Sequence, residues 1–135
     1  MAQLKDTVVS GNLRVTEKIF VEPTIGDITW NTSVIGSAPS VLTKSITQIG
    51  RTVNIQLYVE FATALTVETE NIIGTLTGVD VPKNVYRDRC WQGVQYYSGN
   101  MQSCYVVVGT TGNIGITPPT GATNKKYLIN ITYQT

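Results

Sequence analysis

Glu68 and Glu70 stand two residues apart in Thr66-Val67-Glu68-Thr69-Glu70-Asn71. In an extended segment they point to the same side, and a carboxylate pair is all that glycoside hydrolysis requires. With Asp88 they are the candidates for a small glycan hydrolase or depolymerase. Their Thr-rich setting reads instead as a solvated loop, the ordinary place for acidic side chains. Asp27, Asp80 and Asp88 have no partner at a diagnostic spacing, and no EF-hand-like spacing offers a calcium site. The chain contains no histidine. Its absence removes the Ser-His and Cys-His nucleophile pairs and the usual zinc ligands. Two cysteines, Cys90 and Cys104, are too few for a cysteine metal cluster. Neither GxGxxG nor GxxxxGKS/T occurs, so the phosphate-cradling loops are missing as well. The expectation is no catalytic residue, no metal and no cofactor, which leaves the chemistry of surfaces.

The local cluster best suited to a surface role is Tyr86-Arg87-Asp88-Arg89-Cys90-Trp91, followed by Tyr96-Tyr97. Aromatic faces stack on the apolar face of a pyranose, and charged forks hold its hydroxyls. Tyr86, Arg87, Asp88, Trp91 and Tyr97 are therefore the candidate ligand-binding residues, with the turn from Ser98 to Gln102 beside them. The same residue types are enriched at protein interfaces. They also serve as plain core, since aromatics are mostly buried. Alternation places Tyr96 and Tyr97 on opposite faces of a strand, so one of the two faces outward. Trp30 should pack against something, either its own domain or a neighbouring subunit.

Strands must position these residues. Val53, Ile55, Leu57, Val59 and Phe61 alternate with Asn54, Gln56, Tyr58 and Glu60. Strict period two marks a strand with one face in a core and the other in solvent. Tyr127, Ile129, Ile131 and Tyr133 repeat the pattern. Tyr105–Val108, then Gly109-Thr110-Thr111-Gly112-Asn113, then Ile114–Thr117 reads as strand, tight turn, strand. Residues 91–97 read as a strand entering a hairpin at Ser98-Gly99-Asn100. Together with 52–62, about 71–76 and 103–108, these are the predicted strands. No useful stretch shows helical spacing of apolar residues. Pro118-Pro119-Thr120-Gly121 is a loop. Across that hairpin Cys90 lies further from the turn than Cys104, so the two thiols are expected to be free rather than paired.

Residues 1–45 differ. Val8-Val9, Leu13, Val15 and Ile19-Phe20-Val21 are short apolar pieces, broken by Gly, Pro and Asn. Gly36-Ser37-Ala38-Pro39-Ser40 looks like a connector. A segment that cannot bury itself within one chain is a candidate for burial between chains. The expectation is therefore an N-terminal shaft or linker segment over 1–45 and a β-sandwich head domain over 46–135. The fold class is all-β: an antiparallel, jelly-roll-like β-sandwich head with an irregular β N-terminal segment.

Composition narrows the partners. The 135 residues fit one domain with a short appendage, only 14% are charged, and the net charge is +1. Basic residues are spread along the chain, with Lys125-Lys126 the longest run, so nucleic acid is not an expected partner. The start, Met1-Ala2-Gln3-Leu4-Lys5-Asp6, lacks the apolar region of a signal peptide. No apolar run approaches the roughly 18 residues of a membrane helix, so membrane insertion is not expected.

Several motifs, in order, resemble a known family. Asn71-Ile72-Ile73-Gly74-Thr75-Leu76-Thr77-Gly78-Val79-Asp80-Val81-Pro82 resembles the "IGTLP.GYRP" segment in C-terminal head domains of bacteriophage tail fibres and related baseplate proteins. There it follows a strongly alternating strand, as Val53–Phe61 does here. Thr111-Gly112-Asn113-Ile114-Gly115-Ile116 is similar to the family's "G.I" strand, and Asn130-Ile131-Thr132-Tyr133 to its "..I.Y" strand. Leu4–Ile19 resembles shaft segments of the form "LKDT.VSGNL.V..KI". The sequence departs from the pattern at Thr77, where a proline would stand, and lacks the Tyr-Arg pair before Pro82. The likeness thus lapses over the loop from Gly78 to Tyr86. The resemblance implies a homotrimer in a virion tail, made in the host cytoplasm, in contact with other tail proteins. It implies attachment to a host cell-surface glycan or protein, without catalysis. A structural decoration or baseplate connector with no host-binding activity is the alternative. Sugar sites vary within the family, so no site residue is carried over from it.

Overall fold

The computed structural model describes residues 21–83, 90–97, 100–119 and 125–135, with the backbone alone at 90 and 97. Nine strands and one helical turn run in the order β1 (Thr24–Ile25), β2 (Asp27–Trp30), α1 (Thr32–Ile35), β3 (Ser40–Ile49), β4 (Thr52–Glu60), β5 (Asn71–Thr77), β6 (Cys90–Tyr97), β7 (Asn100–Val108), β8 (Asn113–Thr117) and β9 (Lys126–Gln134). All pairings are antiparallel, in a sheet ordered β1-β3-β4-β9-β6-β7-β8-β5-β2. The expected antiparallel all-β fold is what the chain forms. A sandwich implies two sheets, whereas here one continuous sheet curls until it nearly closes.

Period two sets the core. On β4, Val53, Ile55, Leu57 and Val59 are buried, and Phe61 follows just beyond the strand. On β9, Tyr127, Ile129, Ile131 and Tyr133 are buried opposite them. Cys104, Val106 and Val108 of β7 and Ile114 and Ile116 of β8 complete the inner surface, with Ile73 and Leu76 of β5. Each fully buried aliphatic side chain contributes about 1.5–3 kcal/mol relative to exposure.

The sequence boundary at residue 45 is not a boundary of this sheet. β1, β2 and the first half of β3 lie inside the predicted shaft segment yet pair with β3, β5 and β4. Ile28 and Ile35 from the same segment are in the core. Trp30 packs against its own domain, with its ring 6.3 Å from that of Phe61 in an edge-on arrangement. Residues 1–20 lie outside the described residues.

Closure depends on one residue. β1 and β2 are the two margins of the sheet, yet they are consecutive in the chain and separated only by Gly26. The Gly26 N–H donates to the Ile46 carbonyl at 2.8 Å, after which the chain leaves β3 and joins β5. A Cβ at Gly26 would stand 2.7 Å from Ile46 Cγ2, 2.8 Å from Val79 Cγ1 and 3.0 Å from Thr77 O. Only glycine allows both margins to approach one chain so closely. At the other end of the chain, Thr135 and Arg51 are latched by three hydrogen bonds: Thr135 N–H to Arg51 O at 2.8 Å, Arg51 Nε–H to Thr135 O at 2.7 Å, and the Thr135 hydroxyl to Arg51 O at 3.4 Å.

Candidate functional site

The predicted ligand residues are only partly placed. Tyr86, Arg87 and Asp88 lie outside the described residues. Trp91 is on β6, half-buried and packed against the core, with its ring 6.1 Å from Tyr133. Tyr97 ends β6 in register with Asn100, the first residue of β7, and Ser98 and Gly99 of the predicted turn lie outside the described residues. Cys104 is a free, buried thiol paired in register with Gly93, while Cys90 stands opposite Val107. Burial, above all, pushes the Cys104 thiol up to about 11.

The sheet's outer surface shows two adjoining features, of whose residues sequence reasoning singled out Glu68, Tyr96 and, in the turn segment, Met101, but not the rest. The first is an apolar groove of about 200 Å³ lined by Tyr58, Val94, Tyr96, Met101 and Leu128. Register places them side by side. Tyr58 is opposite Leu128, Leu128 opposite Val94, and Tyr96 opposite Met101. A sheet face that meets only water carries polar side chains. This one exposes 69% of Met101 and 49% of Leu128. Tyr96 is 40% exposed.

The second feature continues along β7, whose outward positions run Met101, Ser103, Tyr105. It is an open cleft of about 360 Å³ lined by Glu68, Ser103, Tyr105, Thr117, Pro118 and Pro119. Tyr105 stands opposite Thr117 and is 63% exposed. An exposed ring is thus set among two hydroxyls, two prolines and a carboxylate.

The loop carrying Glu68 is held firmly. The Glu68 N–H donates to Pro118 O at 2.9 Å. Asn71, itself buried, is the clamp: its Oδ1 accepts from Thr66 N–H at 3.0 Å. Its Nδ2 donates to Thr66 O at 2.9 Å, Thr69 O at 2.7 Å and Ile116 O at 3.1 Å. Glu68 adopts φ 52, so the chain turns there and is not extended. The extended conformation on which the same-side reading of the two glutamates rests is therefore not the one adopted at Glu68. Glu70 instead lies across Gly115, where a Cβ would strike its carboxylate. A left-handed conformation at a non-glycine residue is uncommon, and such residues cluster at ligand clamps and switch regions.

Electrostatics elsewhere are quiet. Lys44 Nζ lies 2.6 Å from Asp27 Oδ1 on the exposed outer side. The Lys44 hydrogen bond, helped by the Ile28 N–H, holds the Asp27 carboxyl below its ordinary range. Tyr133 donates to Asp80 O at 2.6 Å, and burial together with the Asp80 charge pushes its phenol up to about 12. Among the described residues no group of His, Cys, Asp and Glu side chains is arranged to hold a metal ion. No helix among them is long and apolar enough to cross a membrane. No family model matches the chain, and a search of curated proteins found no relative.

Proposed function

We propose that this chain is the head of a bacteriophage tail fibre, which attaches to a host cell-surface glycan or protein by non-covalent binding. The observation that carries the reading is the outer face of the sheet. An apolar, aromatic groove there runs into a cleft lined by Tyr105 and Glu68. Exposed apolar surface of this kind marks interaction sites on otherwise polar proteins. The order of motifs along the chain supports the family, and the rigid, low-charge sheet suits a virion surface. The head is a homotrimer, and three weak sites acting together bind far more tightly than one through effective concentration.

The test is staining of a panel of bacteria with the fluorescently labelled chain, with its molar mass measured in parallel by light scattering. Attachment predicts that at least one strain is stained and that a trimer is the species that stains it. A chain that stains no bacterium over a broad panel would refute it. The apolar groove also favours a second reading, a tail or baseplate connector that buries Tyr96, Met101 and Leu128 against another virion protein. A connector stains no cell.

A further inference from the structure

We infer that the cleft at Tyr105 is a site for one non-acidic pyranose unit and that it favours a sugar carrying an ammonium group. This rests on the attachment reading and deepens it by naming the residues and the ligand class.

The lining selects the chemistry. Tyr105 is widely exposed on the outer face and offers one flat apolar surface. Pro118 and Pro119 extend that surface and bring no N–H donor of their own. A pyranose has the matching form, an apolar C–H face with hydroxyls around its rim. Ser103 and Thr117 each donate and accept, so they satisfy hydroxyls in either orientation. The Glu68 carboxylate only accepts, and it takes the donors that sugar hydroxyls or an ammonium present. An ammonium gains twice, from the carboxylate and from the negative face of the tyrosine ring. A uronic or sialic acid would bring a second carboxylate toward Glu68, and Glu70 lies on the same side of β8, over Gly115. Like charges there oppose binding. Among the described residues, none of the side chains lining the cleft is a cation.

Two further observations favour a binding role over an accidental hollow. The volume, about 360 Å³, falls in the range of about 300–1,000 Å³ typical of small-molecule sites. The wall bearing Glu68 is also fixed in advance, by the Asn71 clamp and the bond from Glu68 N–H to Pro118 O. A site ordered before the ligand arrives loses less entropy on binding.

The experiment is ligand-observed NMR on the intact chain with methyl glycosides of glucosamine, glucose and glucuronic acid, and of their galacto counterparts. It is run below neutral pH so that the amine is protonated. A single sugar should bind with a Kd on the order of millimolar, equivalent to about −4 kcal/mol. The amino sugar should bind up to about fivefold more tightly than the neutral one, the gain of an exposed ion pair. The uronide should not bind. Tyr105→Ala should abolish binding of all sugars, Tyr105→Phe should retain it, and Glu68→Gln should keep the neutral sugar while erasing the amino-sugar preference. Urea midpoints of all three variants should match the parent chain. No binding of any sugar, equal binding of the uronide, or unchanged binding by Tyr105→Ala overturns the inference. The same variants separate it from the attachment reading. If the parent chain and Tyr105→Ala stain bacteria equally, this site falls and attachment stands. If sugar binding depends on Tyr105 but no cell is stained, attachment falls and the site stands.

Discussion

Replacing Asn71 tests whether the loop beside the cleft is held by a donor-specific clamp. The Asn71 amide supplies one acceptor, used by Thr66 N–H, and an NH₂ shared among the carbonyls of Thr66, Thr69 and Ile116. Thr66 and Thr69 are exposed, so water replaces the amide there. The bond to Ile116 O is buried, and its loss carries the desolvation cost of about 1–3 kcal/mol. Asn71→Ala should therefore destabilise the fold by about 2 kcal/mol. Asn71→Asp is nearly isosteric and keeps the acceptor for Thr66 N–H. It also turns a carboxylate oxygen toward three carbonyls in a site that is only 8% exposed. It should cost about 1 kcal/mol more than alanine at neutral pH, because a buried charge without a donor is worse than a gap.

The acid limb adds a second check. Facing carbonyls raise the folded-state pKa of the introduced carboxyl above its unfolded value of about 3.9. The penalty is therefore absent below that value and grows as pH rises toward the folded pKa, the reverse of an ordinary paired carboxylate. Urea unfolding followed by tryptophan fluorescence reads both effects. With a slope of about 1–3 kcal/mol/M, the midpoint should fall by about 1 M for alanine and further for aspartate. If Asn71→Asp were as stable as Asn71→Ala at neutral pH, or showed no recovery in acid, the donor role of the amide would be wrong.

Four other perturbations have definite outcomes. Gly26→Ala should destabilise by about 1–3 kcal/mol in the same urea assay, because its methyl meets Ile46, Val79 and the Thr77 carbonyl. Tyr127→Phe should be neutral or stabilising by up to about 1 kcal/mol, since the buried Tyr127 hydroxyl finds no hydrogen-bond partner among the described residues. Cys104, held at about 11, has about one thiol in a thousand ionised at pH 8. It should resist a disulfide reagent in the folded chain and react at once in urea, as peptide mapping would show. Asp27 should titrate below ordinary aspartates by carboxyl NMR, and Lys44→Ala should move it back up. The pairing's small contribution is present above about pH 3.9 and is lost as pH falls through the folded-state value.

Local periodicity exposes some strands and hides others. β4 and β9 are read directly because each keeps one phase for its whole length, with every second residue buried. β3 is not, because a bulge between Val41 and Thr43 shifts the register and only Ile46 of the strand is fully buried. β1 and β2 are too short to show a period, and the glycine between them looks like an ending rather than a corner. Tyr105 sits in an apolar run that the sequence shows to be a strand. Its outward direction follows once Cys104, Val106 and Val108 are known to face in. The cleft itself joins a loop before β5 to the end of β8, residues nearly fifty positions apart along the chain (Glu68 and Thr117), and no local pattern carries such a pairing.

The position of β9 has a consequence for how such a chain is made. Residues Lys126–Gln134 lie in the middle of the sheet, hydrogen-bonded to β4 on one side and β6 on the other. Until they have left the ribosome, β1, β3 and β4 can meet the remaining strands only at the Gly26 corner. Four of the largest inner side chains, Tyr127, Ile129, Ile131 and Tyr133, are missing from the nascent core. A polypeptide interrupted between β8 and Lys126 thus leaves the margins of β4 and β6 unpaired, the kind of exposed strand edge that invites wrong pairing. Closure of the sheet is thus deferred until that strand is complete.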